Sequence, residues 1–296
     1  MAPGDTLWGI AKRFLGSGTW WPAIYDTNKS VIEKTAQNHG LTSSDRGHWI
    51  FPKTHLRVHT AGLLNRLVPQ TGQTVENYHP DCKKTFLIAA RGSGENPSGP
   101  NNLGGSADEP SALSKLYEKL NSPVGSTGVY GVPYAATDAL TFLRSTIPGS
   151  GYGLKVPDST EFGAIQLAYI VRSQAEACPD QKIFLAGYSQ GALVVRAALH
   201  LLSPDIRARI NGIAFFGDPA WVGPTLPSDL TGRTTSQCAK NDPVCDRKAP
   251  VSAGLACLAG AAKGGLLRRL GSTCPHFSYS GGAADLAAAF LKAQIR

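Results

Sequence analysis

The chain has 296 residues, of which 42% are hydrophobic, enough to fill one large domain or two smaller ones. No apolar run approaches the roughly 18 residues that a membrane span requires, so we expect no transmembrane segment. The formal net charge is +8, of which residues 1–58 contribute +3 and the rest +5. Because the Lys and Arg residues form no clustered tract, the charge favours an anionic surface such as a bacterial envelope over a nucleic-acid partner.

The six cysteines are even in number, and none has the paired CxxC spacing of a zinc site. We therefore predict disulfides and an oxidising compartment, with no metal and no organic cofactor. The first residues lack the charged start and apolar core of a signal peptide. An extracellular or cell-wall location would then follow removal of a leader or release by lysis.

The first 58 residues carry the signals of two short helices and a strand. Apolar residues at helical spacing predict a first helix over residues 7–14. Pro22 suits the first turn of a second helix, which we expect to end near Asn28. Residues 49–58, WIFPKTHLRV, alternate like an edge strand. This pattern indicates a small separate module.

The segments PGDTLWGIAKRF, WWPAIYDTN and WIFPKTHLRV resemble a LysM module. The resemblance covers residues 1–58 and implies a βααβ domain that binds N-acetylglucosamine-containing glycans such as peptidoglycan or chitin. The chain departs from the family pattern in three ways. Its first strand is absent or reduced to a stub, Lys53 replaces a glycine, and a polar insertion spans residues 33–48. We expect a linker over residues 59–79.

From residue 80 onward, strand and helix signals alternate, which predicts an α/β domain with a mostly parallel sheet. The expected helices are near 112–120, over 159–177, from the end of KIFLAGY to Leu202, and over 282–296. The expected strands are TFLIAAR, TGVYGVPYA, KIFLAGY, INGIAFFGD and, less strongly patterned, GRTTSQC.

Ser189 lies in GYSQG, between an apolar strand and a helix-like run. A nucleophile elbow needs small residues at this kind of turn, as Gly187 and Gly191 provide. In an α/β-hydrolase the acid and then the histidine follow the serine in the chain. Of the two later histidines, His200 has no carboxylate between it and Ser189, so His276 is the candidate base.

Five aspartates lie between the candidate nucleophile and the candidate base. Two of them suit an acid that must be held rigidly. Asp218 ends the strand IAFFGD, and Asp242 lies between Cys238 and Cys245 in CAKNDPVC, where a disulfide would enclose it. The residues favour Asp242 and leave Asp218 as its rival. The five candidates are Asp205, Asp218, Asp229, Asp242 and Asp246.

Residues 80–296 resemble the cutinase family of serine esterases, which includes cutinases, acetylxylan esterases and lipid esterases. The matching segments are CKKTFLIAARGSGE, CPDQKIFLAGYSQGA, CAKNDPVC and CPHFSY. The resemblance implies a cutinase-like α/β-hydrolase fold with a five-stranded sheet and a triad of Ser189, Asp242 and His276. It also implies disulfides Cys82–Cys178 and Cys238–Cys245. Asn241 stands where the family more often has glycine.

An oxyanion hole needs two fixed donors. The backbone N–H of Gln190, next to the nucleophile, is one candidate, and Ser93, in the loop after the first strand, is the other, a role that the family resemblance also gives it. Cys257 and Cys274 are not required by the four-cysteine pattern of the family. They suggest a third disulfide that holds an apolar flap beside His276, with an ordinary amphipathic surface helix as the alternative.

Together these features predict a LysM-anchored serine ester hydrolase of the bacterial cell wall. Its substrates would be lipid esters of the envelope, of the mycolyl-arabinogalactan type, and a phage lysin would fit this description. One alternative is a secreted cutinase, polyesterase or acetylxylan esterase. Another is a wall-binding or virion structural protein with a vestigial esterase.

Overall fold

Two compact units make up the chain, a small one at the N-terminus and a large one that contains the sheet. The structure is a computed structural model that describes residues 1, 4–10, 21–45, 47, 49–58, 78–97, 100–105, 110–146, 158–262, 274–277, 279 and 281–295.

The N-terminal unit is built around helix α1, Trp21–Asn38. The helix continues well past the end predicted at Asn28. Ile32 and Ala36, four residues apart, are both buried, so the polar-looking second half of α1 has an apolar face of its own. Residues 7–10 are helical, and the rest of the predicted first helix lies outside the described residues.

The strand predicted over residues 49–58 is wrong, since none of these residues forms a strand in the structure. A side chain takes the place of a partner strand. The amide of Asn28 accepts from the backbone N–H of Arg57 at 2.7 Å and donates to its carbonyl at 2.8 Å. Met1 also pairs with this segment through its backbone: it donates to the Thr54 carbonyl at 3.2 Å and accepts from the Lys53 N–H at 3.0 Å.

Lys53 lies in a turn whose backbone favours glycine. The N–H of Thr54 donates to the carbonyl of Phe51 at 3.3 Å, and Lys53 has a φ of 67°. With Pro52 before it, this is the pattern of a type II turn, which places glycine at the position of Lys53. A residue with a Cβ is strained there by about 1–2 kcal/mol.

Replacing Lys53 by glycine is expected to stabilise the N-terminal unit by about 0.5–1 kcal/mol, because the relief of strain exceeds the added freedom of the unfolded chain. Tryptophan fluorescence during unfolding measures this, since four of the five tryptophans lie in residues 1–58. Lys53→Ala is the matched control, because it removes the same charge and keeps the Cβ. An equal gain in both variants would assign the effect to charge.

The large unit has the five-stranded sheet that was predicted. Its order is β2-β1-β3-β4-β5, and every neighbouring pair is parallel. Nearly every residue of the central strands is buried, whichever face of the sheet its side chain is on, because helices cover both faces. This explains the near-continuous apolar runs of these strands in the sequence. The strands are β1 Thr85–Ala90, β2 Thr127–Gly131, β3 Lys182–Tyr188, β4 Ile210–Phe216 and β5 Thr234–Gln237.

Helices α2 and α8 pack on one face of the sheet and on each other, in a core shared with β1, β3 and β4. None of the helices in the described part of the chain is both long and apolar enough to span a membrane. Helix α3 was not predicted, and α7 overlaps only the first residues of the surface helix that was the alternative between Cys257 and Cys274. The helices of this unit are α2 Ala112–Leu120, α3 Ala139–Thr146, α4 Asp158–Ala177, α5 Gln190–Leu201, α6 Pro204–Ala208, α7 Val251–Ala262 and α8 Gly282–Ala293. Short 3-10 helices span Pro100–Asn102, Ser228–Arg233 and Pro275–Phe277.

A second apolar cluster lies beside the carboxyl ends of the strands. It joins α3, α5 and α7 to the loop after β5 through Phe142, Leu193, Val244 and the Cys257–Cys274 pair. Because parallel strands end at the same edge, the loops that follow β1, β3, β4 and β5 converge there. These loops carry Ser93, Ser189, Asp218 and Asp242, while His276 lies in the short 3-10 helix Pro275–Phe277 after α7.

Candidate active site

Ser189 lies at the tip of the turn between β3 and α5, with a φ of 55° that a residue with a side chain rarely adopts. Its N–H donates to the carbonyl of Phe216 at 2.9 Å, which ties the turn to β4. The two flanking positions have no room for a side chain, so both must be glycine. A Cβ at Gly187 would lie 2.5 Å from the carbonyl oxygen of Gly191, and one at Gly191 would lie 1.8 Å from that of Ala90. This is the geometry of a nucleophile elbow.

The imidazole of His276 lies between the serine and a carboxylate. Its Nε2 is 2.8 Å from the Oγ of Ser189, and its Nδ1 is 2.9 Å from Oδ2 of Asp242. Tyr188 stacks on the ring at a centroid distance of 5.4 Å, and its hydroxyl donates to the His276 carbonyl at 2.7 Å. A Cβ at Gly217 would lie 2.6 Å from Cε1 of the imidazole. The ring is therefore fixed from both sides.

Asp242 is fully buried, in the loop that the Cys238–Cys245 disulfide closes. Its carboxylate accepts from the Val244 N–H at 2.8 Å and from the Tyr279 hydroxyl at 2.6 Å, besides facing His276. Burial by itself raises the pKa of Asp242, but His276 and these hydrogen bonds outweigh it and leave that pKa below its ordinary value. An ionised Asp242 keeps the proton of the neutral imidazole on Nδ1, so Nε2 is free to accept from Ser189.

Asp218, the rival acid, makes a different interaction. It is bound by Arg196, whose guanidinium donates to both carboxylate oxygens at 2.6–3.0 Å. Both side chains are almost completely buried, and Arg196 also donates to the carbonyl of Pro224 at 3.1 Å. Asp218 therefore anchors the loop after β4. Of the other candidates, Asp205 lies in the short helix α6 and Asp229 pairs with Arg207 at 3.0 Å.

The two candidate oxyanion donors lie on loops that touch. Ser93 is buried in the loop after β1, and Gln190 is the first residue of α5. Contact between these elements is direct, since the positions of a Cβ on Gly191 and of the Ala90 carbonyl would overlap. In the same loop, a Cβ on Gly92 would lie 2.6 Å from Cδ1 of Tyr188. The structure thus brings the loop of Ser93 to the turn that presents Ser189.

Three residues that support the site were missed by sequence reasoning. Tyr279 donates to Asp242, and Tyr188 holds His276. Arg91 is buried under the Ser93 loop, where it donates to the carbonyl of Tyr134 at 2.5 Å and to that of Glu95 at 3.3 Å. The signals were present in the sequence: an arginine directly after an apolar strand, and aromatic residues inside the GYSQG and CPHFSY segments.

All six cysteines are paired in the structure, as Cys82–Cys178, Cys238–Cys245 and Cys257–Cys274. The third bond joins α7 to the residue two positions before His276, and closing a loop of this size stabilises a fold by about 3 kcal/mol. On α7, Val251 and Leu255 are 81% and 62% exposed. Of the apolar flap that was predicted between Cys257 and Cys274, Leu258 lies on α7 and packs partly buried against the second apolar cluster. Its other leucines, Leu266, Leu267 and Leu270, lie outside the described residues.

We expect Gly191→Ala to destabilise the large unit by about 3 kcal/mol, because the new Cβ would collide with backbone that cannot move without shifting β1 against α5. The same shift should lower kcat by about 10²-fold. Thermal unfolding followed by circular dichroism and ester hydrolysis measure the two effects. Gly232→Ala is the matched control, since nothing lies within 4 Å of a Cβ there. Equal stability of the two variants would contradict the close packing at Gly191.

Comparison with known proteins adds two family matches. Residues 81–263, more than half of the chain, match the family model described as Cutinase, and residues 2–33 match the LysM domain. The chain is 29% identical over 216 residues to Cutinase CUT1 of Coprinopsis cinerea, covering 72% of this chain and 85% of that one. It is 31% identical over 180 residues to Carboxylesterase Culp1 of Mycobacterium tuberculosis, covering 56% and 71%.

Among solved structures, the chain matches the Trichoderma reesei cutinase in complex with a C11Y4 phosphonate inhibitor. The identity is 26% and the TM-score 0.48, with 73% of this chain and 78% of that chain covered.

Proposed function

Since the chain belongs to the cutinase family of carboxylic ester hydrolases and begins with a LysM domain, we propose that Ser189, His276 and Asp242 form its catalytic triad. The observation that carries this assignment is the unbroken line of hydrogen bonds from Ser189 Oγ through the imidazole to Asp242, at 2.8 Å and 2.9 Å. A nucleophile, a base and the group that orients the base are thereby in contact, as acyl transfer requires.

In the proposed reaction, Ser189 Oγ attacks the ester carbonyl carbon while its proton passes to Nε2 of His276. The charge on the former carbonyl oxygen is stabilised by the backbone N–H groups of Ser93 and Gln190. The C–O bond to the alcohol breaks, and the alcohol leaves with the proton from the imidazolium. Water then attacks the acyl-enzyme with His276 again as base, which releases the acid and restores Ser189. Asp242 remains ionised throughout.

The N-terminal unit supplies the proposed attachment to a glycan. We assign residues 1–58 to a module that binds peptidoglycan or a related N-acetylglucosamine glycan, residues 59–79 to a linker and residues 80–296 to the esterase. In the N-terminal unit, Trp8 and Trp49 are about half exposed, at 52% and 53%. Such apolar ring faces suit contact with sugar rings. A module that holds the enzyme on a wall raises the effective concentration of esters in that wall.

The proposed substrates are lipid esters of a bacterial envelope, of the mycolyl-arabinogalactan type. Three features support this choice: the LysM match, the net charge of +8, and α7, which has no charged residue, exposes Val251 and Leu255, and is joined by Cys257–Cys274 to the segment of His276. An apolar helix face in this position suits contact with acyl chains. The enzyme would act outside the cell or at the cell wall, including as a phage lysin.

A substrate panel tests the proposed chemistry. It consists of p-nitrophenyl esters from acetyl to palmitoyl, mycolate-containing walls, cutin and acetylated xylan. Release of free mycolic acid from the walls supports an envelope esterase. Hydrolysis confined to cutin or acetylated xylan would move the assignment to a secreted polyesterase. Absence of hydrolysis with intact binding to walls would leave a binding or virion protein with a vestigial site.

Glycan binding is tested separately by sedimentation with insoluble peptidoglycan. We expect Trp8→Ala and Trp49→Ala to release the protein into the supernatant. Val31→Ala is the control, because Val31 is also an exposed apolar residue of this unit, on α1. Equal sedimentation of all three variants would show that the two tryptophan rings do not contact the glycan.

A further inference from the structure

The side chain of Gln190 is completely buried beside the candidate nucleophile, and its amide makes polar contacts at both ends. Oε1 accepts from the backbone N–H of Thr137 at 2.9 Å. Nε2 donates to the hydroxyl of Ser159 at 2.8 Å and to that of Thr160 at 3.2 Å. Because a backbone N–H can only donate, the orientation of the amide is determined.

Thr137 extends this contact to the other side of the site. Its carbonyl accepts from the backbone N–H of Gly94 at 3.0 Å. Gly94 directly follows Ser93, and a Cβ at Gly94 would lie 3.0 Å from the Cβ of Ala139, so α3 packs closely against the loop. The backbone of one residue, Thr137, therefore connects the side chain of Gln190 to the loop that presents Ser93.

From this connection we propose that the side chain of Gln190 is a positioning residue for the oxyanion hole. Its backbone N–H is one proposed donor, and through Thr137 its amide oxygen sets the place of the other, at Ser93. The inference rests on the proposed function, because it presupposes that Ser93 and Gln190 stabilise the oxyanion. It extends that proposal, because the side chain of Gln190 would set the distance between two donors, at Ser93 and Gln190, that are far apart in sequence.

The reason to expect a catalytic effect is geometric. Oxyanion donors act only when they lie about 2.7–3.1 Å from the position of the developing charge. Without the bond from Oε1, the Thr137 peptide loses its anchor on α5, and the Ser93 loop can shift against the elbow. A displacement of about 1 Å is enough to lower the rate by about 10²-fold. Substrate binding depends less on these donors, since the charge develops only in the transition state.

The test compares variants of the full chain on a short p-nitrophenyl ester. Gln190→Leu keeps the approximate volume and the backbone N–H but removes the amide, and we expect kcat to fall about 10²-fold with KM nearly unchanged. Gln190→Glu keeps an acceptor for Thr137 and can accept from both hydroxyls, so it should restore kcat to within about tenfold of the wild type. Thr160→Val is the matched control, because it removes a contact of Nε2 at nearly constant volume, whereas Ser159 also bonds the Thr137 hydroxyl at 3.0 Å and is left unchanged.

Equal kcat in Gln190→Leu and the wild type would overturn the proposal. Equal losses in Gln190→Leu and Thr160→Val would do the same, because the effect would then not depend on the bond to Thr137. Should Gln190→Leu fail to fold, Gln190→Asn decides the question: its shorter amide cannot reach Thr137, so wild-type kcat in this variant would contradict the proposed role. Failure of the proposed function looks different, since the wild type itself would then lack hydrolysis that depends on Ser189.

Discussion

Ser189→Ala is expected to lower kcat for a short p-nitrophenyl ester by about 10⁶-fold, because it removes the only atom that forms the proposed acyl-enzyme. The fold should be retained, since the hydroxyl is small and the backbone contact to Phe216 remains. Residual hydrolysis would come from binding and the oxyanion donors alone. Circular dichroism and initial rates on the same preparation measure both properties.

Ser236→Ala serves as the control for this substitution, because Ser236 is an exposed serine on β5 that forms no part of the hydrogen-bonded line from Ser189 to Asp242. It should keep the wild-type rate. Equal rates in wild type and Ser189→Ala would show that hydrolysis occurs elsewhere or not at all. A covalent phosphonate adduct on Ser189 of the wild type, absent in the variant, would give independent support.

Asp242→Asn is expected to lower kcat by about 10⁴-fold while the protein stays folded. An amide in this place can present a donor to Nδ1, which favours the imidazole tautomer whose proton is on Nε2. His276 could then no longer accept the proton of Ser189. The measurement is kcat across the pH range in which wild type and variant both keep their native circular dichroism spectrum.

Asp218→Asn is the matched variant, and we expect it to lose stability and to keep most of its activity. The substitution leaves the buried guanidinium of Arg196 without its counter-charge, which typically costs about 3–5 kcal/mol. Activity of the folded fraction should stay within about tenfold of the wild type, since Asp218 does not contact His276 in the structure. A stable but inactive Asp218→Asn, together with an active Asp242→Asn, would reverse the assignment of the acid.

The central strands could be predicted because burial on both faces leaves a local pattern. The predicted bounds of β3 agree with the structure, and those of β1 and β4 differ only at their ends. The N-terminal unit was harder to predict. Residues 49–58 alternate like a strand, but whether they pair depends on what lies beside them, and here the neighbour is the side chain of Asn28. Such a partner cannot be deduced from periodicity.

The candidate site shows a similar division. Order along the chain leads to His276, since the sequence offers so few histidines after Ser189. Order along the chain could not separate Asp242 from Asp218. The two carboxylates differ in that Asp218 contacts Arg196, a residue on another element. The contribution of Tyr279 and the buried amide of Gln190 likewise depend on distant segments meeting, which a motif does not encode.

The positions of the disulfides have a consequence for how the protein would lose activity. Asp242 lies inside the loop closed by Cys238–Cys245, and Cys274 is two residues from His276, so two of the three bonds hold the proposed acid and the proposed base. Cys238 is exposed to solvent, whereas the Cys257–Cys274 pair is buried. A mild reductant should therefore behave as an inhibitor before it behaves as a denaturant, releasing the acid loop while the sheet and its helices stay assembled.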